Sequence, residues 1–370
     1  MKRFNFSRRR TIVAASLVVG AALLTSCSTL NYYGQAAHGQ LSLLSDARPI
    51  DAWMADPHTS ARLRVRLETA RQIRRYAVQA LGLPDNDSYK NYAALARPYV
   101  LWNVVATPEL SLKPIQWCFP VAGCVDYRGY YNKDDAHAYA AELRARGDDV
   151  EVGGVTAYST LGWFNDPLIS TFINYPDAEL ARLIFHELAH QVVYAGGDSQ
   201  FNESFASTVE EEGVERWLAQ YGNDTMRAGY GRYRERKRDF LALLLKIRGQ
   251  LDATYKSDLP AAEKRAIKAR LFQQLKDEYQ GLKTKWGGYA GYDRFFAEPL
   301  SNAHLASIAT YNDFVPGFRA LLKRDANLPR FYADVRKLAA LDKDERHAQL
   351  KALGATQVPA PALTASQPSP

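Results

Sequence analysis

Residues 186 to 190 read His-Glu-Leu-Ala-His, between the apolar residues Leu183, Ile184 and Phe185 on one side and Val192 and Val193 on the other. On an α-helix, residues four apart stand one above the other, so both imidazoles can reach one metal ion. Glu187 then lies beside the metal, where a bound water would sit. The flanking apolar residues predict a helix buried on its other sides, as a site that must hold ligands to about half an ångström requires. With seven His in the chain, chance yields this pattern on the order of 0.01 times per chain. The chemistry it points to is metal-assisted hydrolysis, with Glu187 as the proton carrier.

A catalytic zinc takes three protein ligands and keeps a fourth position open. Gly196-Gly197 closes the first helix, Asp198 or Ser199 caps the next, and Asn202-Glu203-Ser204-Phe205-Ala206 follows. An antiparallel helix at this distance brings Glu203 beside the histidine pair, which makes it the expected third ligand. Glu210, Glu211 and Glu212 compete for the place; otherwise that acidic run reads as a solvated helix end.

The N-terminus reads as an address. Residues 2–10 are basic, 11–24 are apolar, and Ser26 precedes Cys27, the tripartite pattern of a secretory signal. Fourteen apolar residues fall short of the about 20 that a membrane-spanning helix needs. Leu24-Thr25-Ser26-Cys27 resembles the lipobox of bacterial lipoproteins. That resemblance implies cleavage before Cys27, acylation of Cys27 and attachment to the membrane through it. Ser28, where an aspartate would retain the protein at the inner membrane, favours the periplasmic face of the outer membrane. Export in turn makes a Cys118–Cys124 disulfide the expectation, six residues apart with Pro120 and Gly123 to turn the chain; two buried thiols are the alternative.

Net charge is +7, but residues 1–26 hold five of the 47 basic residues and no acidic one, leaving 42 against 40. Nucleic acid is therefore not an expected partner. The charged strings at 234–240 and 263–279 interleave acids with bases and read as solvated faces of two long helices.

Residues 58–82 carry Leu63, Leu67, Ile73, Ala77 and Leu81 at helical spacing and stop at Gly82 and Pro84. Tyr99–Thr107, Tyr127–Tyr131 and Val150–Ser159 are strand candidates, with a helix at 134–146 between the last two. Helical patterns return at 178–195, 199–220, 224–256 and 260–285, then in shorter pieces to about 353. The expected class is α+β, mainly α, with a small antiparallel sheet packed over the active-site helix. In this reading 1–26 is the signal peptide, 27–57 the lipid-anchored segment and 58–353 the catalytic domain. Residues 354–370, little but Ala, Pro, Ser and Thr, form a disordered tail.

His186-Glu187-x-x-His190 followed by Asn202-Glu203-x-Phe205-Ala206 resembles the gluzincin metallopeptidases, in particular the alanyl and leucyl aminopeptidase group, whose second helix reads N-E-G-F-A with a further Glu like Glu210. The whole pattern, lipobox included, resembles more closely a family of bacterial lipoproteins named predicted aminopeptidases. The specific motifs span 186–212. The resemblance implies a zincin-like fold, one Zn2+ per chain on His186, His190 and Glu203, Glu187 as general base, and peptides as substrates. An edge strand beside the cleft, here Val150–Ser159, would pair with the extended substrate. Two departures stand out. The aminopeptidase group has more residues between its second His and its ligand Glu than the twelve found here, 191–202, so the turn must be tighter. Its G-x-M-E-N segment, whose Glu grips the substrate amine, is missing; Asp166, in Gly162-Trp163-Phe164-Asn165-Asp166-Pro167, is the candidate replacement, or else part of a structural turn. For the oxyanion, gluzincins often use a Tyr or His from a later helix, which nominates Tyr311, Tyr292 and His304 on position, against packing as their alternative duty. An endopeptidase of the same mechanism and an inactive peptide-binding lipoprotein are the competing functions.

Overall fold

The structure, a computed structural model, describes residues 30–119, 123–312 and 314–355, and the side chains of 307 and 309–312 lie outside that description. The expected signal 1–26, Cys27, the tail from 356 onward and the side chain of Tyr311 therefore fall outside the described residues.

Helix α1 (30–46) is followed by β1 (Arg48–Pro49) and α2 (Ile50–Ala55). Leu43 and Ile50 are buried in the main hydrophobic core, so the segment read as an anchor is part of the folded body. Helix α3 (Ala61–Gln79) starts where the Ser60 hydroxyl accepts from the Leu63 amide, and buries Leu67, Ala70, Ile73 and Ala77. It packs on α5 (Asp177–Ala189), the helix that carries the histidines.

The antiparallel sheet consists of β6 (Arg128–Tyr130), β3 (Leu101–Pro108) and β7 (Asp148–Val155), in that order. Its alternation is clean. Trp102, Val104 and Ala106 face α4 (Lys133–Ala145) and form a small core with its Ala136, Ala140 and Leu143, whereas Leu101 and Asn103 face a cleft. The β3–β7 ladder ends at Leu101↔Val155. β7 stops at Val155 and not at Ser159, and the Val155 carbonyl accepts from the Val100 amide at 2.9 Å just before β3 begins.

Two further sheets were not expected. β4 (Trp117–Phe119) and β5 (Gly123–Val125) form a hairpin whose facing residues Cys118 and Cys124 are joined by a disulfide. β1, β2 (Asn91–Ala93) and β8 (Leu168–Ile169) make a short mixed sheet in which β2 and β8 run parallel.

The rest is helical: α6 (Ser199–Tyr221), α7 (Asp224–Lys256), α8 (Ala261–Lys285), a 3-10 turn at Asp293–Phe296, α9 (Asn302–Asn312), α10 (Val315–Asp325), α11 (Leu328–Ala339) and α12 (Lys343–Ala355). α7 and α8 enclose a second core of Phe240, Ile247, Leu251, Leu275 and Tyr279, closed by Leu305 of α9. Most of their charged residues face outward, as the sequence pattern requires, while Lys237 and Lys268 turn inward to Glu210 and Asp149. The architecture is α+β and mainly α.

Candidate metal centre

Helix α5 opens on Pro176 with Asp177 and Glu179 in its first turn, where carboxylates favour the helix dipole. Leu180, Ala181, Ile184, Phe185 and Leu188 bury it. It ends earlier than its apolar run suggests. Ala189 is its last residue and His190 its C-cap, after which Gln191 and Val192 donate to the carbonyls of Leu188 and Ala189 at 3.1 and 2.9 Å. This early stop makes the short 191–202 connection possible.

The turn is held by side chains from α6. Asn202 accepts from the Ala195 amide at 2.8 Å and donates to the Ala195 carbonyl at 2.9 Å. Asp198, 1% exposed, caps α6 by accepting from the Phe201 amide and pairs with His347 of α12 at 2.9 Å. Further along α6, a Cβ at Gly213 would come within 2.8 Å of the Phe185 ring. Only glycine lets α6 approach α5 this closely.

These contacts bring the expected ligands together. His186 Nε2 lies 3.2 Å from Glu203 Oε2, and His190 Nε2 lies 3.7 Å from Glu203 Oε1. All three ligand atoms fall within 4.8 Å of one another. Two imidazole nitrogens and a carboxylate form a donor set that suits a borderline divalent ion, so the group can hold a metal. Glu187 lines the cleft beside them.

Glu210, seven residues after Glu203 and so on the same helix face, stands behind the histidines. Its Oε2 is 2.9 Å from His186 Nδ1 and 2.9 Å from the Arg182 guanidinium, and its Oε1 is 3.6 Å from Lys237 Nζ. Burial would raise its pKa, but Arg182, Lys237 and His186 together hold it well below the usual carboxylate range. The neighbours split the histidines. Burial works against charge on His186, yet Glu203 and Glu210 lift it to about 10, whereas burial takes His190 down to about 4. Glu187 is pushed up to about 7, first by burial and then by Glu203 and Asp166, against the pull of His186. A carboxyl poised near neutrality can both take and return a proton. Glu211 and Glu212 are not at the histidines; they pair with Arg319 and Arg216.

The cleft above the centre encloses about 560 Å3, and its walls are rich in tyrosine: Tyr32, Tyr127, Tyr131, Tyr158 and Tyr194. The Gln40 side-chain oxygen of α1 and the hydroxyls of Tyr131 and Tyr158 form one hydrogen-bonded cluster, the two hydroxyls 2.6 Å apart, in which two phenolic protons serve three contacts. Burial pushes Tyr131 up to about 12. Tyr127 sits in the turn between β5 and β6, 42% exposed to the cleft. Its phenol is held protonated by partial desolvation and by the nearby charges of Glu203 and Glu187. Sequence reasoning sought the phenols on later helices and missed these; the strand texture at 127–131 was the available signal.

Other expected positions lie elsewhere. Asp166 is 4% exposed and turned into the loop below the cleft, its carboxylate taken by the Thr160 hydroxyl at 2.7 Å and the Thr160 amide at 3.0 Å. It serves as the anchor of a turn and does not line the cleft. Tyr292 stacks on Phe240 in the second core, with centroids 4.0 Å apart. His304 accepts from the Ser301 amide at 3.1 Å and packs on Phe295. Neither reaches the centre. The backbone of Tyr311 is in α9. Val155, Ala157 and Tyr158 do border the cleft, but beyond Val155 the segment is not a strand.

Comparison with curated proteins and with solved structures gave no significant match. The model of one family, described as "Putative aminopeptidase", matches residues 31–350, a span that holds α5, α6 and every wall of the cleft named above, and the chain belongs to that family.

Proposed function

We propose that this protein is a zinc-dependent peptidase of the gluzincin type, an aminopeptidase acting on peptides in the bacterial cell envelope. The observation that carries the reading is the convergence of His186, His190 and Glu203 on one point at the floor of a cleft that Glu187 also lines. Zinc bound there would supply Lewis-acid activation of water and of the scissile carbonyl. Glu187 takes the proton of the attacking water and passes it to the departing amine. Glu210, with Arg182 and Lys237 behind it, fixes the His186 ring from its far side, the support that metal-ligating imidazoles generally need. Tyr127, a protonated phenol on the cleft wall near Glu203 and Glu187, would donate a hydrogen bond to the developing oxyanion.

Export and attachment through an acylated Cys27 belong to the same proposal. They are supported by the N-terminal signal and by the Cys118–Cys124 disulfide, a bond typical of oxidising compartments. One observation favours a variant of the reading. Asp166, the candidate for gripping a substrate amine, is buried in its own loop, which suits cleavage of internal bonds. The test is protein beginning at Ser28, assayed for bound zinc and for the products released from a mixed peptide library, with Glu187→Gln alongside. Stoichiometric zinc in both proteins and single N-terminal residues released by the parent alone is the expected result. Internal cleavage would keep the mechanism and replace the aminopeptidase label, and equal background activity in both would overturn the enzyme reading.

A further inference from the structure

Helix α1 has two faces. Inward, Tyr32 and Ala36 line the cleft, Gln40 holds the Tyr131 and Tyr158 hydroxyls, and Leu43 enters the main core. A Cβ at Gly39 would fall 2.1 Å from the Tyr131 ring, so the helix is pressed tightly against the cleft wall. Outward stand Leu30, Tyr33, Gly34, Ala37 and Leu41, all exposed. Their spacing of i, i+3, i+4, i+7 and i+11 places them on one stripe. Leu30 is 69%, Tyr33 42% and Leu41 62% exposed.

This stripe is unusual for a water-facing surface. Residues 11–45 contain no Lys, Arg, Asp or Glu in a protein that is 24% charged, whereas the solvent faces of α7 and α8 are laced with ion pairs. A helix with an apolar outer stripe calls for a cover. The preceding chain indicates which. Cys27 lies three residues before Leu30, and the apolar run 11–24 lies before that. An acylated Cys27 would start α1 within about 10 Å of the bilayer surface, and the 11–24 run within about 20 Å, since an extended residue spans about 3.5 Å.

We propose that α1 lies in the membrane interface, with Leu30, Tyr33, Ala37 and Leu41 against lipid, so that the helix forming one wall of the cleft is also the surface that docks on the bilayer. The inference rests on the membrane address of the N-terminus and not on the zinc chemistry. An uncharged stripe should bind lipid by apolar burial, with little dependence on salt or on anionic headgroups.

The first measurement takes the full chain in phosphatidylethanolamine–phosphatidylglycerol vesicles containing brominated lipid, with Leu41→Trp compared against Leu245→Trp on α7, where Leu245 is exposed at 38%. The expected result is quenching of the added tryptophan emission by roughly twofold or more for Leu41→Trp and none for Leu245→Trp. Equal behaviour of the two would overturn the proposal. The second uses the unacylated chain from Ser28, which keeps everything the structure describes, in flotation with phosphatidylcholine vesicles. The parent should float, at low and high salt alike, and Leu30→Glu/Leu41→Glu should lower the bound fraction roughly tenfold or more while its hydrolysis of a soluble peptide stays unchanged. A parent that stays unbound while dimerising through α1 would overturn the proposal in favour of an interface between copies. Because vesicle binding is read without peptide hydrolysis, it can fail while the peptidase reading stands, and the reverse.

Discussion

Two pairs of consecutive helices, α5–α6 and α7–α8, are built on opposite principles. α7–α8 is apolar inside and charged outside: Ile247, Leu251 and Leu275 are fully buried, and Lys246–Glu278 and Lys285–Asp239 pair at 2.6 and 2.8 Å on the surface. In α6, by contrast, Asn202, Ser204, Thr208 and Glu210 are all at most 2% exposed. Burying polar and charged groups costs free energy unless each is paired. α7–α8 avoids that cost, whereas α5–α6 accepts it and offsets it with a chain of contacts that ends at the histidines. The difference teaches where this chain trades stability for geometry, and substitutions in the two pairs should have different consequences.

The largest effect is expected at Glu187, a group with no share in holding the fold together. Glu187→Gln should lower kcat by about 10²–10⁴-fold, the usual contribution of a general acid–base group, with zinc content and Tm close to those of the parent. Purified protein, a metal assay and a peptide assay measure all three. A variant that loses zinc as well would mean that Glu187 helps to hold the metal.

Glu210→Gln comes next and sharpens the contrast, because it changes a buried carboxylate and not a ligand. Removing the charge leaves Arg182 and Lys237 facing a neutral amide, and breaking a buried pair in this way costs about 3 kcal/mol. Zinc affinity should also fall by about 10–100-fold, the typical penalty for losing the partner of a ligating imidazole. Metal competition with a chelator and urea unfolding separate the two effects. A variant with normal stability and affinity would mean that the network behind His186 is decoration.

Asn202→Ala removes two buried hydrogen bonds to Ala195 and exposes neither backbone group to water. The expected loss is about 2 kcal/mol, at about 1 kcal/mol for each bond. The site should suffer with it, since Ala195 lies in the turn that lets Glu203 return to the histidines.

How much of this the sequence disclosed follows the same division. His186, Glu187 and His190 are legible because helical spacing alone juxtaposes them, and Glu203 because one capped turn and one helix separate it from them. The long amphipathic pairs are legible for a similar reason: their periodicity is local. Asp166 stayed open between two readings because the difference between a cleft carboxylate and a loop anchor lies in whether Thr160 folds back onto it, and nothing in the string reports that. The cleft tyrosines were missed because they come from α1, the two ends of β6 and the segments after β7 and α5, with pairings between residues 40, 131 and 158 that no short window contains. The β1–β2–β8 sheet has strands of two or three residues, too short to show an alternation.

Glu151 on β7 tests the middle of the comparison, a carboxyl that is partly buried outside both pairs. Burial, with the Glu298 charge nearby, pushes it up to about 7. A carboxyl whose folded pKa exceeds its unfolded value binds its proton more tightly when folded, so stability falls as pH rises from the ordinary carboxylate range through about 7. Replacing it by Gln should flatten that decline and gain about 1 kcal/mol at pH 8, after allowing for the solvent that reaches it. Urea midpoints at pH 5 and pH 8 for both proteins give the answer, and parallel pH profiles would overturn it.

The smallest effect is expected where the geometry on paper is best. Lys246 and Glu278 are 2.6 Å apart, and Lys246 holds the Glu278 carboxyl below its ordinary value, with Gln274 assisting. Yet the side chains are 49% and 35% exposed, so water screens the pair and both chains lose rotamer freedom to form it. Lys246→Ala should cost no more than about 0.5 kcal/mol, and less as salt is added. Its peptidase activity should match the parent's, because Ile247 and Leu251, not the ion pair, lock α7 against α8. A loss of 2 kcal/mol or more in a urea titration would break the comparison, since surface charge on α7–α8 would then carry as much as the buried network of α5–α6.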